Sequence, residues 1–110
     1  MIKNAMIIFL FLYGTTTFAQ NGNEAYTEYS KVDKELNLIY NRLKTKLRAI
    51  DKVALVKSQK AWINYIKADC AFMGQESSGG VIADKRTNAC KIDMMRQRTI
   101  QLKDILKKGL

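Results

Sequence analysis

The stretch DKVALVKSQKAWINYIKADCAFM, residues 51–73, decides the fold. Read at helical period, Val53, Val56, Ile63, Ile66, Cys70 and Met73 fall on one line, and Leu55, Gln59, Trp62, Tyr65 and Asp69 on the line beside it. Two adjoining stripes make a wide buried face, which a helix needs when it touches two neighbours at once. That is the central helix of a three-helix bundle, with Trp62 as its largest core side chain. The 110 residues contain no proline, and glycine is sparse, so helix interiors run nearly end to end.

Toward the C-terminus the pattern breaks between Gly74 and Thr87. Gly74-Gln75-Glu76-Ser77-Ser78-Gly79-Gly80 reads as a flexible loop, followed by the short apolar step Val81-Ile82-Ala83 and by Asp84-Lys85-Arg86. A third helix is expected from about Thr87 to Lys107, with Ile92, Met95, Thr99, Leu102 and Leu106 inward and Cys90, Met94 and Arg98 on a neighbouring line. Lys107, Lys108 and Gly109 close it with cations on the negative helix end and glycine as terminator. Toward the N-terminus, Val32, Leu36, Ile39, Tyr40, Leu43, Leu47 and Ile50 form one stripe about five turns long. Ser30 with Asp33 three residues on is the expected cap of this first helix, and residues 20–29 are a flexible lead-in. The expected fold is all-α, a three-helix up-down bundle over residues 30–110.

Ahead of it, basic Lys3, the nine-residue apolar run Ala5 to Tyr13 and the small-residue exit Thr15 to Ala19 stand in the order of a secretory signal peptide, residues 1–19. A helix crossing hydrocarbon needs ~20 apolar residues, so this segment is too short for a membrane anchor. Cleavage is expected after Ala19, with Gln20 as the alternative. The competing reading, a buried N-terminal helix, fits poorly with a run that ends in three threonines. No cysteine sits at the end of the signal to carry a lipid. The expected product is soluble, either periplasmic or secreted.

Both cysteines, Cys70 and Cys90, lie in the 91 residues that remain, and export delivers them to an oxidising compartment. A bridge between them ties helix two to helix three. Closing a loop of this length is worth roughly 3 kcal/mol, a large share of a small domain's stability. A metal site is not expected, since the sequence contains no histidine, and a redox dithiol more often shows C-x-x-C spacing.

The net charge of +9 falls to +8 when Lys3 leaves with the signal. Such a charge favours anionic partners, but Lys and Arg are spread from Lys31 to Lys108 with Asp and Glu between them, the pattern of a solvated helical surface. Trp62 and Tyr65 with Lys57, Lys60 and Lys67 come closest to a nucleic-acid platform; export and burial of Trp62 argue against that partner. Catalytic residues are not expected. Histidine, the commonest general base, is missing, both cysteines are occupied, and Glu24, Glu28, Asp33 and Glu35 read as solvated charge. No cofactor is implied, and the chain reads as a non-enzymatic binding protein.

One order of residues is recognisable: Leu36-Asn37-x-x-Tyr40-x-x-Leu43, then Gln59-x-x-Trp62-Ile63-x-Tyr65-x-x-x-Asp69-Cys70, then a Gly-rich loop ending in Cys90, then Arg98 and Leu102. It resembles the LprI-like N-terminal domain family of lysozyme inhibitors, exported, helical and cysteine-bridged, over Val32 to about Leu106. The chain departs from that family in three places. A further cysteine pair that many members extend before helix one is missing, the lipoprotein cysteine is missing, and Met95 stands where many members have threonine.

The resemblance implies an inhibitor of lysozyme-type peptidoglycan hydrolases and hence a protein partner. Familiar animal lysozymes are basic, so a +8 inhibitor needs a locally acidic contact face. Glu76, Ser77, Ser78 and Asp84, in or near the disulfide-closed loop, are the candidate contacts for a cationic sugar-binding cleft; the plain alternative is an ordinary helix connection. The family-motif residues Gln59, Trp62, Tyr65, Asp69 and Arg98 are either a recognition patch or a structural network. The structural reading is preferred, with Asp69 and Arg98 paired across helices two and three and Trp62 in the core. Two other functions stay open: a cationic envelope-binding protein holding anionic polymer or lipid, and a periplasmic immunity or chaperone-like partner of another protein.

Overall fold

The computed structural model describes residues 21–75 and 80–110, with side chains described from Tyr26 onward. The expected signal peptide therefore lies outside the described residues. By its contacts the chain divides into Met1–Ser30 and Lys31–Leu110. The described part of the first unit, residues 21–30, is helical. The second unit is the three-helix bundle. No strand occurs among the described residues, and no helix among them is long and apolar enough to cross a membrane.

The helices are α1 (Asn21–Lys46), α2 (Ala49–Gln75) and α3 (Val81–Lys108). The stripe expected on α1 is buried at Val32, Leu36, Ile39 and Leu43, spaced four, three and four apart. Two expectations for this helix are corrected. It begins at Asn21, so residues 21–29 of the expected lead-in are helical and Ser30 sits in mid-helix, where it cannot act as an N-cap. It also ends at Lys46. The chain turns back through Leu47 and Arg48, and Ile50, expected on the stripe, falls in the first turn of α2 and is exposed. Arg48 starts α2 twice over: its carbonyl accepts from the Lys52 N–H at 2.9 Å, and its Nε donates to Asp51 Oδ2 at 2.9 Å. Asp51 is the acidic residue that the positive end of a helix favours.

Along α2 the buried positions are Leu55, Gln59, Ile66, Cys70 and Gly74; Trp62, expected as the largest core side chain, is corrected to half-buried, as is Asp69. This is the second of the two expected stripes joined to Ile66 and Cys70 of the first. Val53 (72% exposed), Ile63 and Met73 of the first stripe, and Tyr65 of the second, face water. One narrow face suffices because α3 is the main neighbour of α2, and it lies along a single line of positions.

The α2–α3 pair is antiparallel: Cys70 meets Cys90, Gln59 meets Arg98, and Leu55 shares a cleft wall with Leu102. On α3, Ile92, Met95, Thr99 and Leu102 are inward, as the periodicity predicts; Arg98 of the neighbouring line joins them, and Leu106, expected inward, is half-buried. Its start is a further correction. α3 begins at Val81, six residues before the expected Thr87, immediately after Gly80, whose φ of 76° is a left-handed conformation suited to glycine. Asp84 sits in its first turn, and Thr87 Oγ1 donates to the Ala83 carbonyl at 2.9 Å. The connection between α2 and α3 is thereby reduced to residues 76–80, and most of the expected Gly74–Thr87 loop is helix. Gly109 ends α3 as expected, with φ 86° and its N–H donating to the Ile105 carbonyl at 2.7 Å.

Candidate functional site

The disulfide between Cys70 and Cys90 forms, with Cα atoms 5.5 Å apart. Cys70 is fully buried, and its sulfur lies 3.7 Å from the Met94 thioether. One turn further along α2, Gly74 is buried where a Cβ would collide with Thr87 Oγ1. Glycine there lets the two backbones approach, so the bridge and the close contact together seal this end of the pair.

A polar cluster lies nearer the middle of the pair. Arg98 is 8% exposed and its guanidinium donates three hydrogen bonds: Nε to Gln59 Oε1 at 3.0 Å, Nη1 to Gln101 Oε1 at 2.8 Å, and Nη2 to Ser58 Oγ at 3.0 Å. The same guanidinium lies 5.8 Å from the centre of the Trp62 ring, within cation–π range. All three acceptors are neutral. Burial holds the Arg98 pKa below the usual arginine value, and no ion pair among the described residues offsets that burial. Among the described residues no buried side-chain nitrogen or oxygen lacks a hydrogen-bond partner.

The structure thus gathers Gln59, Trp62 and Arg98 of the family motif and leaves out Tyr65 and Asp69. Tyr65 is exposed. The expected Asp69–Arg98 pair does not form, and helix geometry gives the reason. Antiparallel packing sets Arg98 level with Gln59, and Asp69, ten positions on, is about 15 Å further along the axis. Ser58 and Gln101 were missed by the sequence reading. Their signal was adjacency: Ser58 precedes Gln59, and Gln101 follows Arg98 by one helical turn.

At the end of the bundle away from the disulfide, Leu43, Leu47, Leu55, Leu102 and Ile105 line a cleft of about 350 Å³. Ser58, Arg98 and Gln101 border it too, whereas Gln59 does not. α1 is also fastened to α3 by an ion pair on the surface, where Lys103 Nζ donates to Glu35 Oε1 at 2.6 Å. The Lys103 hydrogen bond and charge, with Lys31 and Arg96 adding to them, lower the Glu35 pKa.

Of the expected partner contacts, Asp84 is exposed on the first turn of α3, and Glu76, Ser77 and Ser78 lie outside the described residues. No group of three or more metal-ligating side chains occurs among the described residues.

A model of the family described as lysozyme inhibitor LprI matches residues 15–102. The chain belongs to that family. A curated relative, an uncharacterized protein of Rhizobium meliloti (strain 1021), is 30% identical over 92 residues, covering 72% of this chain. The match spans 66% of that relative's length. No solved structure matches the chain. In this LprI family member, the Gln59–Arg98 hydrogen bond, the Trp62–Arg98 contact and the Cys70–Cys90 bridge all join α2 to α3.

Proposed function

We propose that this chain is an exported, non-enzymatic binding protein that inhibits lysozyme-type peptidoglycan hydrolases. The observation that carries the reading is the family match across residues 15–102. Pairing of both cysteines and the signal-like order of residues 1–19 support export to an oxidising periplasmic or extracellular space. The contact we favour is the α2–α3 connection with Glu76, Ser77, Ser78 and exposed Asp84, because a basic enzyme repels a basic inhibitor except where the surface is locally acidic.

The test is a muramidase assay with the purified protein against lysozymes of several types. Inhibition of at least one at micromolar excess is the expected result, weakened by Glu76→Lys and Asp84→Lys together. No inhibition of any type overturns the proposal. The net charge of +9 favours a second reading, attachment to an anionic envelope polymer or lipid. Binding of that kind weakens steeply with ionic strength and follows Lys and Arg on the helices, whereas inhibition through the connection follows a few residues.

A further inference from the structure

We propose that the cleft at the end of the bundle opposite the disulfide binds a small anionic amphiphile, a carboxylate with a single apolar tail, whose head pairs with Arg98. Charge is the first argument. A guanidinium 8% exposed, with only neutral acceptors on it, is a buried cation without an ion-pair partner among the described residues. Removal of a charge from water is costly unless an opposite charge meets it. Three neutral hydrogen bonds and the Trp62 face hold Arg98 in place and leave two of its five N–H groups for a ligand.

Direction is the second argument. Gln59, the acceptor for Nε, lies outside the cleft lining, while Ser58 and Gln101, the acceptors for Nη2 and Nη1, are part of it along with Arg98 itself. The two Nη nitrogens therefore lie on the cleft side of the guanidinium, and each carries one N–H beyond its bond to Gln101 or Ser58, which an entering carboxylate can accept. Apart from Asp51, the rest of the wall is apolar, with Leu43, Leu47, Leu55, Leu102, Ile105 and Leu110 beside Ala54, suited to a hydrocarbon tail.

Size and charge then narrow the class. A volume of about 350 Å³ is at the low end of ligand sites, which fits one short chain and not a two-chain lipid. A carboxylate carries one charge and gives up less hydration on entering an apolar cleft than a phosphate dianion does. Asp51 also borders the cleft, but its carboxylate is engaged by Arg48 at 2.9 Å, so the one acidic side chain at the rim is neutralised.

The experiment titrates decanoate into the oxidised protein. Trp62, the single tryptophan, reports directly because the guanidinium lies against its ring, and calorimetry gives an independent affinity. Expected are a saturable change in Trp62 emission, a raised melting temperature, and binding at least ten-fold weaker for decan-1-ol. Arg98→Gln, checked for folding by circular dichroism, should weaken decanoate binding at least ten-fold. If that variant fails to fold, Ala54→Phe decides, because Ala54 is an exposed residue on the cleft wall and a phenyl ring there closes off the space. The proposal is overturned by any of three results: no saturable response to decanoate, equal affinity for the alcohol, or undiminished binding by both folded variants.

Discussion

Arg98 on α3 donates from Nε to Gln59 on α2 across 3.0 Å, and both side chains are 8% exposed. A glutamine in place of the expected carboxylate makes this a contact of charge with dipole, and together with the bond from Arg98 Nη2 to Ser58 it helps set the axial register of the two helices. Gln59→Leu retains volume but leaves a buried N–H of a cation without an acceptor. Such a loss costs about 1–3 kcal/mol. Urea denaturation should show a lowered midpoint with unchanged slope, and an unchanged midpoint refutes the role given to Gln59.

The bridge between Cys70 and Cys90 closes a loop whose ends are 20 positions apart. Its removal by Cys70→Ser with Cys90→Ser should cost roughly 3 kcal/mol through the entropy of the unfolded chain. For a domain of this size that corresponds to a fall in Tm on the order of 10–20 °C. Calorimetry of the oxidised protein and the double variant measures it directly.

Glu35 and Lys103 join α1 to α3 at the surface, each side chain about half exposed. Because Lys103 lowers the Glu35 pKa, the folded protein takes up this proton less readily than the unfolded chain does. The contribution of the pair is therefore complete above the ordinary value of 4.5 and is lost as the pH falls through the lower folded value. Exposure and salt keep the effect small. Carboxyl-carbon NMR should find Glu35 titrating below 4.5, and Lys103→Met should return it toward that value.

How much of this was legible in the sequence depended on how one-sided each helix is. α1 carries Val32, Leu36, Ile39 and Leu43 against an otherwise polar surface, so its inner face could be read directly. α2 has apolar residues on every side, and Ile50, Val53, Tyr65 and Phe72 are exposed. Its true inner line contains Gln59, which hydropathy counts against burial, so periodicity could not choose between the stripes. The start of α3 was hidden for a related reason: Val81 and Ile82 follow two glycines and point to water, giving no periodic signal. Both cysteines and Arg98 were legible as a group, whereas the partner of Arg98 depended on axial register, which composition does not encode.

Gly74 gives the sharpest test of that register. On an isolated helix, Gly→Ala is stabilising by up to about 1 kcal/mol, since alanine restricts the unfolded chain. Here the added Cβ meets Thr87 Oγ1, and the Ala83 carbonyl oxygen lies 3.3 Å from it. Thr87 cannot swing aside freely, because its hydroxyl is bonded to that same carbonyl at 2.9 Å. Gly74→Ala should therefore be destabilising, by about 1–3 kcal/mol, the usual cost of forcing an extra carbon into a packed contact. Thr87→Ala removes the obstructing oxygen, so the double variant should recover most of the loss, with a coupling of at least about 1 kcal/mol in a double-mutant cycle. Additive effects of the two substitutions would mean that α2 and α3 do not approach at this point, and the register fixed by Gln59 and Arg98 would have to be redrawn.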